Sequence, residues 1–461
     1  MERPNAWKQY DEKALNELEA VSRKYRTFLD HGKTERECVR ETVETAKAAG
    51  YVELNDAIKA GKALKPGDKV YVNCMGKAIM LFHLGKKPLT DGINIVGAHI
   101  DSPRMDLKQN PFYEDTDLAY ADTHYYGGIK KYQWVARPLA LHGVVAKKDG
   151  SLVDVVIGED ADDPVVGVSD ILIHLAAEQM GKKASEAVTG ENLDVLLCGK
   201  PLTGEEKEPV KAMLLKILKE KYDLEEEDML SAEIEVVPAD KCRDFGLDRS
   251  MLLGYGHDDR VCSFASLEAI LRLPTVPDST CCCLLADKEE IGSVGATGMR
   301  AHYFENAMAE LLALTQPEYS ELALRRALAA CRMLSCDVSA GYDPLYASCF
   351  EKKNAAYLGR GVCYNKYTGS RGKSGSNDAN AEFLGRLRKI MDDNQVAWQT
   401  AELGKVDVGG GGTIAYICAL YGMEVVDSGV PVLSMHAPLE IISKADLYEA
   451  VKAYHAFMCQ G

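Results

Sequence analysis

Gly254-Tyr-Gly-His-Asp-Asp-Arg-Val-Cys-Ser-Phe264 sets two adjacent carboxylates, Asp258 and Asp259, at the head of an apolar run. Val261, Phe264, Leu267 and Leu271 share one stripe at helical spacing, which predicts a helix with the acids at its mouth. Taken alone, such a pair reads as a helix cap and a complement to the helix dipole. Its company points instead to a bound cation. His99-Ile-Asp101 ends an apolar run that starts near Gly92, Glu289-Glu290 ends another, and Asp337 and His436 end two more. Each group falls where a strand is expected to run out, the edge at which open α/β sheets build their sites.

The full phrases are His99-Ile-Asp-Ser-Pro-Arg104, Asp258-Asp-Arg260, Asp287-Lys-Glu-Glu-Ile-Gly-Ser293, Ser374-Gly-Ser-Asn-Asp-Ala379 and Ser434-Met-His-Ala-Pro438. In this order, over most of the chain, they resemble the aspartyl aminopeptidase family of co-catalytic dizinc metallopeptidases, in a bacterial form. The fold this implies is α/β. A three-layer α/β/α catalytic domain with a central mixed sheet, residues 1–106 and 251–461, is interrupted by a mainly β inserted domain, residues 107–250, expected to act as a dimerisation or lid domain.

The resemblance carries roles residue by residue. One metal takes His99 and Asp337, the other takes Glu290 and His436, and Asp258 bridges both. Glu289 is the general base. Asp101 accepts the remaining ring N–H of His99, and Asp259, joined to Asp258 by a cis peptide, fixes the bridge. His174 stands where the family carries a histidine that reaches a neighbouring subunit's site; read from the residues, it is equally a packed or solvent-facing histidine.

Two divalent ions, most often zinc with cobalt or manganese as substitutes, bring four positive charges in such a site. Three ligand carboxylates and a bridging hydroxide cancel them, and a pocket that excludes water favours that neutrality. The activity implied is removal of N-terminal residues from short peptides by water activated between the ions.

Composition agrees. A chain of 461 residues can bury a large core, and 46% hydrophobic with 27% charged residues describes an ordinary globular protein. A net charge of −16 disfavours nucleic acid and anionic membrane surfaces as partners. No apolar run approaches the length of a membrane span, and Met1-Glu-Arg-Pro-Asn-Ala-Trp-Lys lacks a signal peptide's apolar core, so a cytoplasmic location is expected. The 14 cysteines include three in a row, Cys281 to Cys283, inside an apolar strand signal. They read as buried thiols.

Along the chain, Leu15, Leu18, Val21, Tyr25 and Leu29 keep helical spacing, and Thr34-x-x-Glu37 is a capping box for a second helix that stops at Gly50. Asp149-Gly150 signals a hairpin in the insert. Gly372-Lys-Ser374 has the ending of a phosphate loop, but Tyr367 occupies the first required glycine and no strongly apolar strand is read just before it, so nucleotide binding there is disfavoured. That segment is instead a basic loop in which Lys366, Arg371 and Lys373 are expected to face an acidic substrate side chain. Gly412, in the run 409–412, is expected to line the same site.

A carboxypeptidase or N-acyl amidohydrolase shares the metal cluster and is the main alternative. A catalytically dead scaffold or cargo adaptor is the non-enzymatic one. Neither His-Glu-x-x-His nor Gly-x-Ser-x-Gly is present, which disfavours a single-zinc helix protease and an α/β-hydrolase. The family also builds homo-oligomers, implying a tetrahedral dodecamer here.

Overall fold

The computed structural model describes residues 3–369 and 371–461. The chain divides into two compact units: residues 1–101, 242–435 and 440–461 form the first, and residues 102–241 with 436–439 form the second.

The first unit is built on a nine-stranded mixed sheet. Five strands position the site: β1 (Asn94–His99), β2 (Cys281–Ala286), β3 (Arg332–Cys336), β4 (Val362–Asn365) and β5 (Glu424–Gly429). β1 lies between β2 and β3 and parallel to both, β5 runs parallel to β3, and β4 pairs antiparallel with β5. β1 and β2 are buried throughout, as unalternating apolar runs require when a sheet is covered on both faces. Since β1, β2 and β3 run the same way, the residues following each emerge at one edge.

Helices α1 (Glu12–His31), α2 (His257–Leu271) and α3 (Lys444–Gln460) pack one face of this sheet together with helices Glu35–Ala48 and Ala381–Asp393. Helices Tyr303–Thr315, Glu321–Ala330 and Ala415–Ala419 cover the other, giving the three expected layers. The stripe read in α1 is buried at Leu18, Val21, Tyr25 and Leu29, although Leu15 is exposed. The capping box forms: Thr34 accepts the Glu37 N–H at 3.2 Å and Glu37 accepts the Thr34 N–H at 3.0 Å.

A five-stranded sheet in the same unit has no counterpart in the sequence reading. Its order is Arg243–Phe245, Met251–Gly254, Glu440–Ser443, Pro431–Leu433 and Ser339–Ala340. Met251–Gly254 leads into Asp258, and Ser339–Ala340 follows Asp337, so this sheet holds chain segments on either side of the site.

The second unit is a six-stranded antiparallel sheet with the helix Pro209–Tyr222, mainly β as expected. Its hairpin pairs Leu139–Ala146 with Leu152–Ile157, and Gly150 takes φ +86° in the turn. The boundaries differ from 107 and 250. Arg104 already belongs to the strand Arg104–Asp115, paired with Leu118–Tyr126, whereas Arg243–Phe245 and Met251–Gly254 pair with each other inside the first unit. Strand periodicity shows that a segment is extended; it does not show which sheet takes it.

The described cysteines are all free, and Cys281 to Cys283 are buried. β4, a fully buried strand, immediately precedes the basic loop, where no strongly apolar strand was read. Four residues containing Cys and Asn are too short a signal. Tyr367 still denies a phosphate loop its first glycine.

Gly429, the last residue of β5, ties the sheet to the site. A Cβ there would lie 1.6 Å from the carbonyl oxygen of Asp337. Gly429→Ala should therefore displace the Asp337 backbone, lowering the melting temperature and weakening zinc retention; calorimetry with metal analysis by mass spectrometry would measure both.

Candidate metal centre

β1 delivers His99 at its last residue, 2% exposed. Its Nδ1 lies 3.0 Å from the Asp101 carbonyl oxygen and 3.4 Å from Asp101 Oδ1. An oxygen can only accept, so Nδ1 carries the proton in the neutral ring and Nε2 is left with its lone pair. Nε2 faces Asp258 Oδ1 at 3.3 Å and Asp337 Oδ1 at 3.8 Å. A lone pair aimed at two carboxylates is repulsive unless a proton or a metal cation sits between them. Burial opposes a charged ring, but Asp101, Asp258 and Asp337 outweigh it and hold the His99 pKa well above its usual range.

Asp258 and Asp259 are not the helix cap that an isolated pair would suggest. Both have non-helical backbone angles within α2, the peptide between them is cis, and Gly256 at φ +76° makes the turn into the helix. The Asp258 N–H donates to Glu440 at 2.9 Å. Asp259 is fully buried, and burial pushes its carboxyl well up.

After β2 the chain turns at Lys288, φ +65°, into the short turn Glu289–Ile291. The N–H groups of Glu289 and Glu290 donate to the two carboxylate oxygens of Asp101 at 3.1 and 3.2 Å. Asp101 therefore does something the sequence reading missed: its carboxylate fixes the backbone carrying both glutamates, while its carbonyl takes the closer contact with His99. Burial first, and then the charge of Asp337, push the Glu289 carboxyl up to about 8.

His99, Asp258 and Asp337 each offer one ligand atom, all within 4.8 Å of one another; one carboxylate oxygen of Asp258 and one of Glu290 lie equally close. Imidazole nitrogen with carboxylate oxygens is a donor set that suits zinc. The adjacent guanidinium of Arg260 donates to the Ile100 carbonyl at 3.2 Å and the Lys33 carbonyl at 2.8 Å. These residues fit a divalent cation.

Sequence reasoning missed the supports. Ser263 Oγ donates to the His99 carbonyl at 2.7 Å, and Tyr25 Oη lies 2.6 Å from His257 Nδ1. Thr413 Oγ1 donates to the fully buried Asp427 at 2.6 Å, and burial pushes that carboxyl up to about 7. A lone acid inside the apolar run Val425-Val-Asp-Ser428 was the available signal.

His436 has φ +64°, and its Nδ1 lies 2.9 Å from the Gly128 carbonyl within the second unit. His174 is exposed on the short turn Ile173–Leu175 of that unit. Of the three loop cations, Lys366 and Lys373 both reach Asp378, at 3.6 and 3.1 Å, and Arg371 is exposed. Two of the cations expected for an acidic substrate thus already share one carboxylate. An added Cβ at Gly412 would find its nearest atom at 3.9 Å, leaving room beside the loop.

The profile of a family described as aminopeptidase I zinc metalloprotease (M18) matches residues 28–458. The chain belongs to the M18 family. It is a zinc-dependent aminopeptidase, a metallo-exopeptidase among the hydrolases. The probable M18 family aminopeptidase 1 of Clostridium acetobutylicum is 58% identical over 455 residues, covering 98% of this chain and 97% of the relative. That of Thermotoga maritima is 45% identical over 458 residues, covering 99% of each.

Among solved M18 structures, the Thermotoga maritima enzyme superposes with a TM-score of 0.95 at 44% identity over 100% of both chains. Aminopeptidase I from Clostridium acetobutylicum gives 0.92 at 55% identity over 99% of both. The S. cerevisiae mApe1 dodecamer, at 19% identity and TM-score 0.78 over 96% of this chain and 97% of that one, shares the fold.

The raised Glu289 and Asp427 carboxyls give the metal-free chain a definite pH response. Their folded pKa values, about 8 and about 7, lie above ordinary carboxylate values, so these two groups contribute stability at low pH that is lost as pH rises toward 8. Ligand deprotonation favours metal binding over the same range. Zinc should therefore raise the melting temperature of metal-stripped protein more at pH 8 than at pH 5.5, which calorimetry with and without zinc would measure.

Proposed function

We propose that the centre holds two divalent ions per subunit. His99 and Asp337 would hold one, Glu290 and His436 would hold the other, and Asp258 would serve both. The observation supporting this reading is the position of Asp258, whose carboxylate lies within 4.8 Å of ligand atoms of His99 and Asp337 on one side and Glu290 on the other. Zinc is the expected metal, with cobalt or manganese able to replace it.

When bound, such a pair acts as a Lewis acid that activates water and polarises the scissile carbonyl. Glu289 would accept a proton from the attacking water and return it to the leaving amine, its backbone held in place by Asp101. Asp101 also sets the His99 tautomer so that Nε2 faces the ligand cluster, and Asp259 fixes the orientation of Asp258.

The substrates are short peptides cleaved at the N-terminal residue. Acidic N-terminal residues would be read by the basic loop, with Arg371 the best placed of its cations because Lys366 and Lys373 face Asp378; Gly412 would let the substrate backbone approach. The chain works in the cytoplasm as a homo-oligomer, a tetrahedral dodecamer in which the second unit makes dimer contacts and His174 reaches a neighbouring subunit's site. The S. cerevisiae mApe1 structure is a dodecamer, which supports this assembly.

Two adjacent glutamates give the sharpest test. Glu289→Gln should keep both metals and still bind substrate, yet lose about 10²–10⁴-fold in turnover, the usual contribution of a general base. Glu290→Gln should lose metal from one position and recover part of its activity in excess zinc. Metal content and turnover across a zinc titration separate the two; a Glu289→Gln enzyme that loses metal while Glu290→Gln keeps both reverses the roles.

The oligomer has its own test. His174→Ala should lower turnover while light scattering and metal content stay unchanged, and unaltered kinetics would return His174 to a surface residue.

A further inference from the structure

The edge of the nine-stranded sheet carries a cavity of about 700 Å³ that none of the proposed metal ligands lines. Its walls are β4, the edge strand Trp398–Thr400, the helix Ala381–Asp393 and residues 351–360, all within the first unit. Leu384, Leu387 and the buried rings of Tyr364 and Trp398 contribute apolar surface. Five cations surround it: Arg3, Lys352, Lys353, Arg360 and Arg388.

None of the five joins an ion pair among the described residues. Glu351, the one acid in the lining, turns its oxygens to the Lys353 N–H and the Asn354 side chain. In a chain of net charge −16, five cations facing one acid is a strong local reversal.

Two of the guanidiniums are already held in place. Arg3 lies 3.7 Å from the centre of the Trp398 ring and Arg360 lies 4.4 Å from that of Tyr357. Stacking fixes the plane of each fork and leaves its N–H edges to act, so less rotamer freedom is lost when an anion arrives. It also occupies one face of each ring, which leaves charge rather than ring stacking as the chief means of recognition. The five like charges repel one another, and a compact multivalent anion relieves that repulsion best.

We propose that this cavity binds a polyphosphate group. A phosphate offers several strong acceptor oxygens in one tetrahedron and matches an arginine fork bidentately, and a di- or triphosphate chain concentrates its charge within one cavity. In an extended acidic peptide, side chains on one face recur only about every 7 Å, a poorer match to five cations around one space. Inorganic polyphosphate and the phosphate chain of a nucleotide share the chemistry required.

Isothermal titration of the zinc-loaded full-length protein with tripolyphosphate, ADP and citrate tests the site, with free zinc held in excess so that chelation contributes equally to every protein variant. Tripolyphosphate should bind saturably at one site per chain and weaken as salt rises. The Arg360→Gln/Arg388→Gln variant should bind about tenfold or more weakly, a loss of about 1.4 kcal/mol, with zinc content and circular dichroism unchanged. Binding of ADP as well would identify nucleotides as a source, and its absence would point to inorganic polyphosphate. Lys352→Gln/Lys353→Gln, on an exposed segment, provides the same reading if the arginine variant does not fold. Absence of saturable heat, equal affinity in variant and native protein, or tighter binding of citrate than of tripolyphosphate would overturn the proposal.

Discussion

The architecture depends on one electrostatic constraint, the gathering of carboxylates at a single sheet edge. Parallel β1, β2 and β3 release His99, Asp101, the Glu289-Glu290 pair and Asp337 on the same side, and α2 brings Asp258 and Asp259 to it. Buried carboxylates without a counter-charge either take up protons or hold a cation. Burial pushes the carboxyls of Asp259, Glu289 and Asp427 up, the direction of the first response, and the His99 Nε2 facing two carboxylates marks where the second would act.

Holding those charges together requires supports that do not themselves bind the ion. The Arg260 guanidinium donates to the carbonyls of Ile100 and Lys33 and so fastens the end of β1 to the segment after α1. Asp101 links the β1 edge to the turn after β2 through two backbone N–H groups. Gly429 admits the Asp337 carbonyl where any side chain would collide with it. Each contact converts a property of the sheet, its parallel register, into a fixed position for one functional side chain.

Much of this was legible in the sequence because the governing signals are local. Apolar runs without alternation identified β1 and β2, and the acids immediately after apolar runs identified the site edge. Chemistry alone did not distinguish Glu289 from Glu290, or bridging from terminal ligands; those assignments came from family likeness. What escaped depends on long-range pairing. The five-stranded sheet joins segments from Arg243 to Ser443, and the domain boundary shifted because strands near 104 and 243 chose different sheets. The bond from Asp101 to the glutamate turn spans 188 residues, and no local periodicity announces it.

The strength of Glu289 as a base follows from the same charge balance. In the chain alone, burial and the charge of Asp337 hold its carboxyl at about 8, and a base that is largely protonated near neutrality is a poor acceptor. Divalent cations in the cluster reverse the local sign, because they are the largest charges present and favour every neighbouring carboxylate in its ionised form. Glu289 would then be released for proton transfer only when the cluster is loaded, and a metal-free subunit would keep the proton. Asp101 strengthens this dependence: by holding the Glu289 backbone against the β1 edge, it keeps the carboxylate within the field of the site and limits its retreat into solvent.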